Sequence, residues 1–375
     1  MQTTIENRLE ISEKARQLTA NCPVIDLHVD AVLQHLLFGY NIAEEHNASW
    51  LPSKRRWLFQ FLQSIGRLQH FHRPFFNHID LPRMQKGGYT AAGFGIHYWP
   101  FQSEKGWHTI LRQIDYLHQK AEQVSYFNLA KTPEAILHAA QNNQLAGFLG
   151  VEGAHCLGKS GEKFWNLKLQ RVEELFNQHD VRYLTLSHFC KNDAATPCLG
   201  RGSNQRDGLT AFGKDLVQKM NELGMIIDLA HVNHPGVLDA CKFSRKPVVV
   251  THTGVKAVHD FPRNINDEAI CAVAETGGVV GVMFATNFLS PAQPHVNSEI
   301  ILEHLGHIIN LVGENHAAIG SDFDGWIPRI PIDMTDARDL PILTQHFLMA
   351  GFTKKRIEKI LGGNFLRVWK EVLNH

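Results

Sequence analysis

Eight short runs of β-branched and small apolar residues alternate along this chain with segments of helical period, and no other feature limits its fold so tightly. The runs are 24–30 (VIDLHVD), 89–98 (YTAAGFGIHY), 145–152, 181–188 (VRYLTLSH), 225–231 (MIIDLAH), 247–252, 278–286 (GVVGVMFAT) and 316–322. Between them, 104–122, 163–178, 211–223, 235–242, 267–276 and 298–312 carry apolar residues at three- and four-residue steps, the spacing of one helix face. The runs are apolar on consecutive positions, as strands covered on both faces are. Eight β/α alternations predict a closed (β/α)8 barrel of the TIM type.

Local signals agree. Thr132-Pro133-Glu134 reads as an N-cap, a first-turn proline and an acidic first turn, and Gly224 stands where a C-cap belongs. With 375 residues the chain is within the range of one barrel, so 1–375 is read as a single domain. Two regions exceed the minimal pattern. Residues 31–80 are too long and aromatic for a simple βα loop and predict a helical cap, which is a lid over the site, an oligomer surface or a helix packed flat on the barrel. Residues 353–374, two amphipathic halves around Gly362-Gly363, are expected to complete the outer ring of helices.

Charge narrows the partners. Lys+Arg and Asp+Glu both number 37, so no net field draws the chain to nucleic acid or an anionic membrane, and a small molecule is the expected partner. The six cysteines show no C-x-x-C spacing, and a chain this long needs no disulfide framework. The polar N-terminus lacks the apolar core of a signal peptide, and no stretch approaches 18 uninterrupted apolar residues. A cytoplasmic location is the expectation.

The runs end in an unusual way. His28 and Asp30 close the first, Glu152 the third, His188 the fourth, His231 the fifth, His252 the sixth and Asp322 the eighth. A buried strand has no reason to finish on an unpaired carboxylate or imidazole, since burying even a neutral polar group costs roughly 2–7 kcal/mol. A barrel supplies the reason, because its active site lies at the C-terminal ends of the strands. Histidine, aspartate and glutamate gathered there are ligands for a transition metal. His28 and Asp30, two apart on an extended chain, face the same way.

At these residues the chain resembles a known family. VIDLHVD, GVEGAH, RYLTLSH, GLTAFGKDLVQKMNELGMIIDLAHV, PVVVTHTGVKAVHDFPRNI and IGSDFDG are similar, in order, to the motifs of the membrane dipeptidase (renal dipeptidase) family of the amidohydrolase superfamily. The resemblance spans roughly residues 22–370. It implies a zinc-dependent dipeptidase with two Zn2+ per chain: His28 and Asp30 on one ion, His231 and His252 on the other, Glu152 bridging both, and a hydroxide between the ions as nucleophile. It further implies that Asp322 moves the proton, with a further metal contact or a structural acid as the alternative. His188 would bond the developing oxyanion, unless it is a core histidine. Arg263 would bind the free carboxylate of the dipeptide, unless it forms a surface salt bridge, and Asn264 would assist. Tolerance of a D-residue at the second position and a homodimer also belong to what the resemblance implies.

The chain departs from the family at Phe94-Gly95, where mammalian members carry an aromatic pair. Phe101 stands where secreted relatives carry the cysteine that would partner Cys190. The first departure leaves substrate preference open, and the second favours a cytosolic protein without that disulfide. Lactonase, esterase or deaminase activity on the same centre is the alternative, followed by a binding protein that has lost its chemistry.

Overall fold

The computed structural model describes residues 9–47, 50–68, 76–99, 101–292, 295–327 and 329–374. Its strands are β1 (Ile25–Val29), β2 (Ala91–Ile96), β3 (Phe127–Leu129), β4 (Leu145–Glu152), β5 (Val181–Thr185), β6 (Ile226–Asp228), β7 (Val249–Thr253), β8 (Val279–Val282) and β9 (Ala317–Ile319). All pairs are parallel, in the order β1-β2-β4-β5-β6-β7-β8-β9. The ring closes at its rim, where the Asp30 N–H donates to the Phe323 carbonyl at 2.8 Å and the Asp322 N–H to the His28 carbonyl at 3.0 Å. This is the nearly closed (β/α)8 barrel that the alternation predicts.

β3 is the addition. It pairs with the start of β4, Phe127 against Leu145, on the edge that β5 takes farther along. Three residues are too short to carry a period.

The helices follow their sequence signals. Thr132 caps Pro133–Gln141 by accepting from the Ala135 N–H at 3.3 Å, and Gly224, at φ 73°, ends Ala211–Leu223 in the left-handed conformation. Helices Glu104–Gln123, Trp165–Asn177, His234–Phe243, Asp267–Glu275 and Glu299–Val312 lie within two residues of the expected spans.

The C-terminal segment departs from expectation. Phe365, Val368, Trp369 and Val372 of helix Asn364–Leu373 join the cluster of Ala91, Ala146, Phe148, Tyr183, Ile226 and Val249 inside the barrel. The Phe365 and Trp369 rings lie 5.0 and 5.3 Å from Phe148. The helix therefore floors the barrel at the end opposite the site instead of joining the outer ring. Amphipathicity shows that a face is buried, not against what.

The region after β1 is helical, with Ala31–Phe38 and Arg56–Leu68; residues 48, 49 and 69–75 of the expected cap lie outside the described residues. Phe38, Phe59 and Phe76 form a small core of their own. The cap reaches the site loop through His78, whose N–H donates to Asp324 at 2.8 Å, and through Phe76, whose ring meets Trp326 at 4.9 Å. Among the described residues no helix is long and apolar enough to cross a membrane.

Candidate metal centre

Two irregularities of the sheet aim the first histidines. Between Asp26 and Val29 of β1, and between Val250 and Thr253 of β7, the strand advances three residues while its neighbour advances two. An extra residue reverses the side to which the following side chains point. His28 and His252 lie within these bulges, and their rings stack with centroids 4.1 Å apart.

Buried partners hold each ring. His28 Nδ1 pairs with the Tyr183 hydroxyl at 2.9 Å, which turns Nε2 toward the centre. Tyr183 crosses the barrel over Gly150, where any Cβ would overlap its ring. His252 Nδ1 lies 3.0 Å from Thr251 Oγ1, and that hydroxyl donates to Asp228 Oδ2 at 2.9 Å. Since the hydroxyl proton is committed to Asp228, the imidazole must donate from Nδ1, which makes Nε2, 2.9 Å from His231 Nε2, the lone-pair nitrogen that a metal would use. Asp228 also accepts from Thr185 Oγ1 at 2.6 Å and from the N–H groups of Thr251 and Ala230, tying three strands together. Asp26 does the same for closure, accepting from the Ser321 N–H at 2.7 Å.

Glu152, the last residue of β4 and 1% exposed, is the hub. Its Oε1 lies 3.0 Å from His231 Nε2, 3.4 Å from His252 Nε2 and 3.6 Å from His28 Nε2. Its Oε2 faces His97 Nδ1 at 3.3 Å and His188 Nε2 at 3.5 Å. Asp30 Oδ1 stands 3.3 Å from His28 Nε2, and Asp322 joins these two in one cluster of potential ligands. All seven rim residues expected from the runs are thus brought together and buried. The carboxylate does not divide as a simple bridge would, since Oε1 meets histidines from both expected halves.

The donor set fits divalent metal. Ligands about 2.0–2.2 Å from one tetrahedral zinc stand roughly 3.3–3.6 Å apart, and most of the separations above are close to this. His28 Nε2, Asp30 Oδ1, Glu152 Oε2 and His97 Nδ1 are buried with no hydrogen-bond partner, a cost of about 1–3 kcal/mol for each if nothing satisfied them.

The electrostatics divide the histidines. Burial alone would lower His28, but the Tyr183 hydroxyl and the Glu152 carboxylate outweigh it and raise its pKa well above the usual imidazole range, so a metal at its Nε2 displaces a proton. Burial, the neighbouring charges of His28 and Arg263 among others, hold His252 and His231 respectively well below the usual imidazole range, so both are neutral and can ligate. Burial alone would raise the Glu152 carboxyl, but the surrounding imidazoles, with the charge of His28 among them, outweigh it and hold the group well below the usual carboxylate range. Burial and the adjacent Asp30 push Asp322 well above the usual carboxylate range. His231 at φ 65° and Asp322 at φ 59° are left-handed, a conformation that costs a bulky residue energy and gathers at functional sites.

Arg263, 3% exposed, donates from Nη2 to the His252 carbonyl at 2.9 Å. It lines a cavity of about 340 Å³ with His231, Cys198 and Asn264. Asn264 Nδ2 is committed to the carbonyls of His259 and Phe288 at 2.8 and 2.7 Å, leaving only its Oδ1 for another group. Trp99, half exposed, sets its ring 5.8 Å from those of His188 and Phe189. Phe101 is exposed under the Arg201 guanidinium, and Cys190 is a buried free thiol.

Sequence reasoning missed His97. It directly follows β2 at the rim where the other strand-end residues gather, but Tyr98 and Trp99 prolong the apolar run and hide its polar end.

Comparison with known proteins agrees with this architecture. A dipeptidase of Schizosaccharomyces pombe, described as uncharacterized, is 33% identical over 269 residues, covering 71% of this chain and 63% of its own length. The crystal structure of the dipeptidase AC, a metallo peptidase of family M19, superposes with a TM-score of 0.76 at 25% identity, covering 94% of this chain and 98% of its own. A metallo peptidase from Rhodobacter sphaeroides, liganded with a phosphinate mimic of the dipeptide L-Ala-D-Ala, has the same fold at TM-score 0.76 and 24% identity, covering 94% of this chain and 99% of its own. The model of the membrane dipeptidase family, peptidase family M19, matches residues 12–375, and the chain belongs to that family.

Proposed function

We propose that this chain is a metal-dependent dipeptidase that hydrolyses the peptide bond of a dipeptide, acting as one domain over 1–375. His28, Asp30, Glu152, His231 and His252 would hold two zinc ions. The observation that carries this reading is Glu152, an ionised carboxylate in the barrel rim with imidazoles 3.0–3.6 Å from its oxygens. When bound, the two ions supply an activated water as nucleophile and polarise the scissile carbonyl.

The chain's own residues supply the rest. Asp322, whose proton affinity is raised by burial and by Asp30, takes the proton of the attacking water on its carboxylate and returns it to the leaving amine. His188, held well below the usual imidazole range first by burial, is neutral and donates an N–H to the developing oxyanion. The planar fork of Arg263 suits the free carboxylate one residue beyond the scissile bond. A longer peptide would leave that guanidinium without its partner, which is the basis for preferring dipeptides.

Removing this clamp tests the reading. Arg263→Ala should raise KM for dipeptides by roughly 10- to 100-fold while the metal content stays that of the wild type. Unchanged KM would remove the clamp. A parallel panel of L,L- and L,D-dipeptides, acylated dipeptides and lactones separates the dipeptidase from the other amidohydrolase chemistries and tests tolerance of a D-residue. A homodimer and a cytoplasmic location complete the proposal.

A further inference from the structure

We infer that His97 is a sixth protein ligand of the metal centre, binding through Nδ1 the ion that Asp30 and Glu152 share. The inference rests on the binuclear reading above and adds to it a residue outside the five that the family resemblance supplies.

Geometry carries the argument. His97 is 3% exposed. Its Nδ1 lies 3.3 Å from Glu152 Oε2 and 3.7 Å from Asp30 Oδ1, and the three residues form one cluster of potential ligands. None of these three atoms has a hydrogen-bond partner; the Glu152 contact has the spacing of ligands around a tetrahedral zinc, about 3.3–3.6 Å, and the Asp30 contact, at 3.7 Å, is slightly wider. Most buried side-chain nitrogens without a ligand role are bonded to the protein or to water.

The strand that delivers His97 is built for it. Residues two apart on β2 share a face. Gly95 lies against the centre: a Cβ there would strike Asp30 Oδ1 and approach His28 Cε1 to 2.5 Å. The missing side chain lets His28 and Asp30 close on β2, and the next residue on that face is His97. Gln113 Nε2 donates to the His97 carbonyl at 2.7 Å, fixing the backbone from which the ring projects. As a ligand the ring is neutral, with its proton on Nε2 and the Nδ1 lone pair directed to the metal.

The test compares Co2+-loaded wild type with His97→Ala and His97→Gln by metal stoichiometry, chelator competition and the visible d–d spectrum. The expected result is two Co2+ in the wild type, with the affinity of one site lowered at least ~10-fold in both variants and its absorption altered. Equal affinity and an unchanged spectrum in a folded variant would overturn the assignment while leaving the binuclear reading intact. A wild type that binds no Co2+ would fail the binuclear reading itself, and this assignment with it. Circular dichroism and melting of the metal-free proteins identify any variant that does not fold, in which case His97→Gln, which keeps polarity and approximate size, decides.

Discussion

Gly95 contributes to the centre by having no side chain. Because a Cβ would overlap Asp30 Oδ1, Gly95→Ala should displace His28 or Asp30 and weaken metal binding at least ~10-fold, with little change in the melting point of the metal-free protein; titration with a competing chelator measures the first and calorimetry the second. Much of the centre was legible at this scale. His28, Asp30, Glu152, His231 and His252 each end an apolar run, as do His188 and Asp322; the family resemblance divided the ligand role from the others. Asp26 and Asp228 were not legible as struts, because they lie inside their runs and one of their partners, Ser321, is 295 residues from Asp26. The local spacing of a sequence carries no record of such a contact.

Elements turn those residues into a site. The eight barrel strands were readable from their apolarity, but the bulges that aim His28 and His252 were not, because a bulge is a property of two strands in register. The helix Glu299–Val312 shows a similar dependence on its neighbours. His304 on that helix is buried, its Nδ1 accepts the Val255 N–H at 2.7 Å and its Nε2 meets the Leu289 carbonyl at 2.9 Å. The ring is thereby locked neutral. Burial pulls its pKa down to about 4 despite the opposing Leu289 bond. In the unfolded chain the same ring titrates near 6.5, so acid protonates the unfolded state first. His304 therefore costs no stability above about pH 6.5, and stability is lost as pH falls from there to about 4, by on the order of 3 kcal/mol. Denaturant unfolding of His304→Gln, which can accept and donate without titrating, should show a correspondingly shallower loss over this interval. An identical pH dependence in wild type and variant would contradict the assignment.

At the scale of the whole molecule the barrel has two ends with different tasks. Helix Asn364–Leu373 fills the floor with Phe365 and Trp369 against Phe148, while the ring closes at the opposite rim through Asp30, Phe323, Asp322 and His28. Closure therefore passes through two of the proposed ligands, His28 and Asp30, so the proposed centre would be assembled only when the first and last strands meet. Sequence alternation foretold the ring but not the floor, because an amphipathic helix fits either position. The central claim is that Glu152 holds two divalent ions among histidines drawn from separate strands. Elemental analysis of purified wild type and Glu152→Ala tests it most directly. The account predicts two metal ions per wild-type chain and loss of both from the folded variant, whereas a metal-free wild type active on dipeptides, or a variant that keeps both ions, would contradict it.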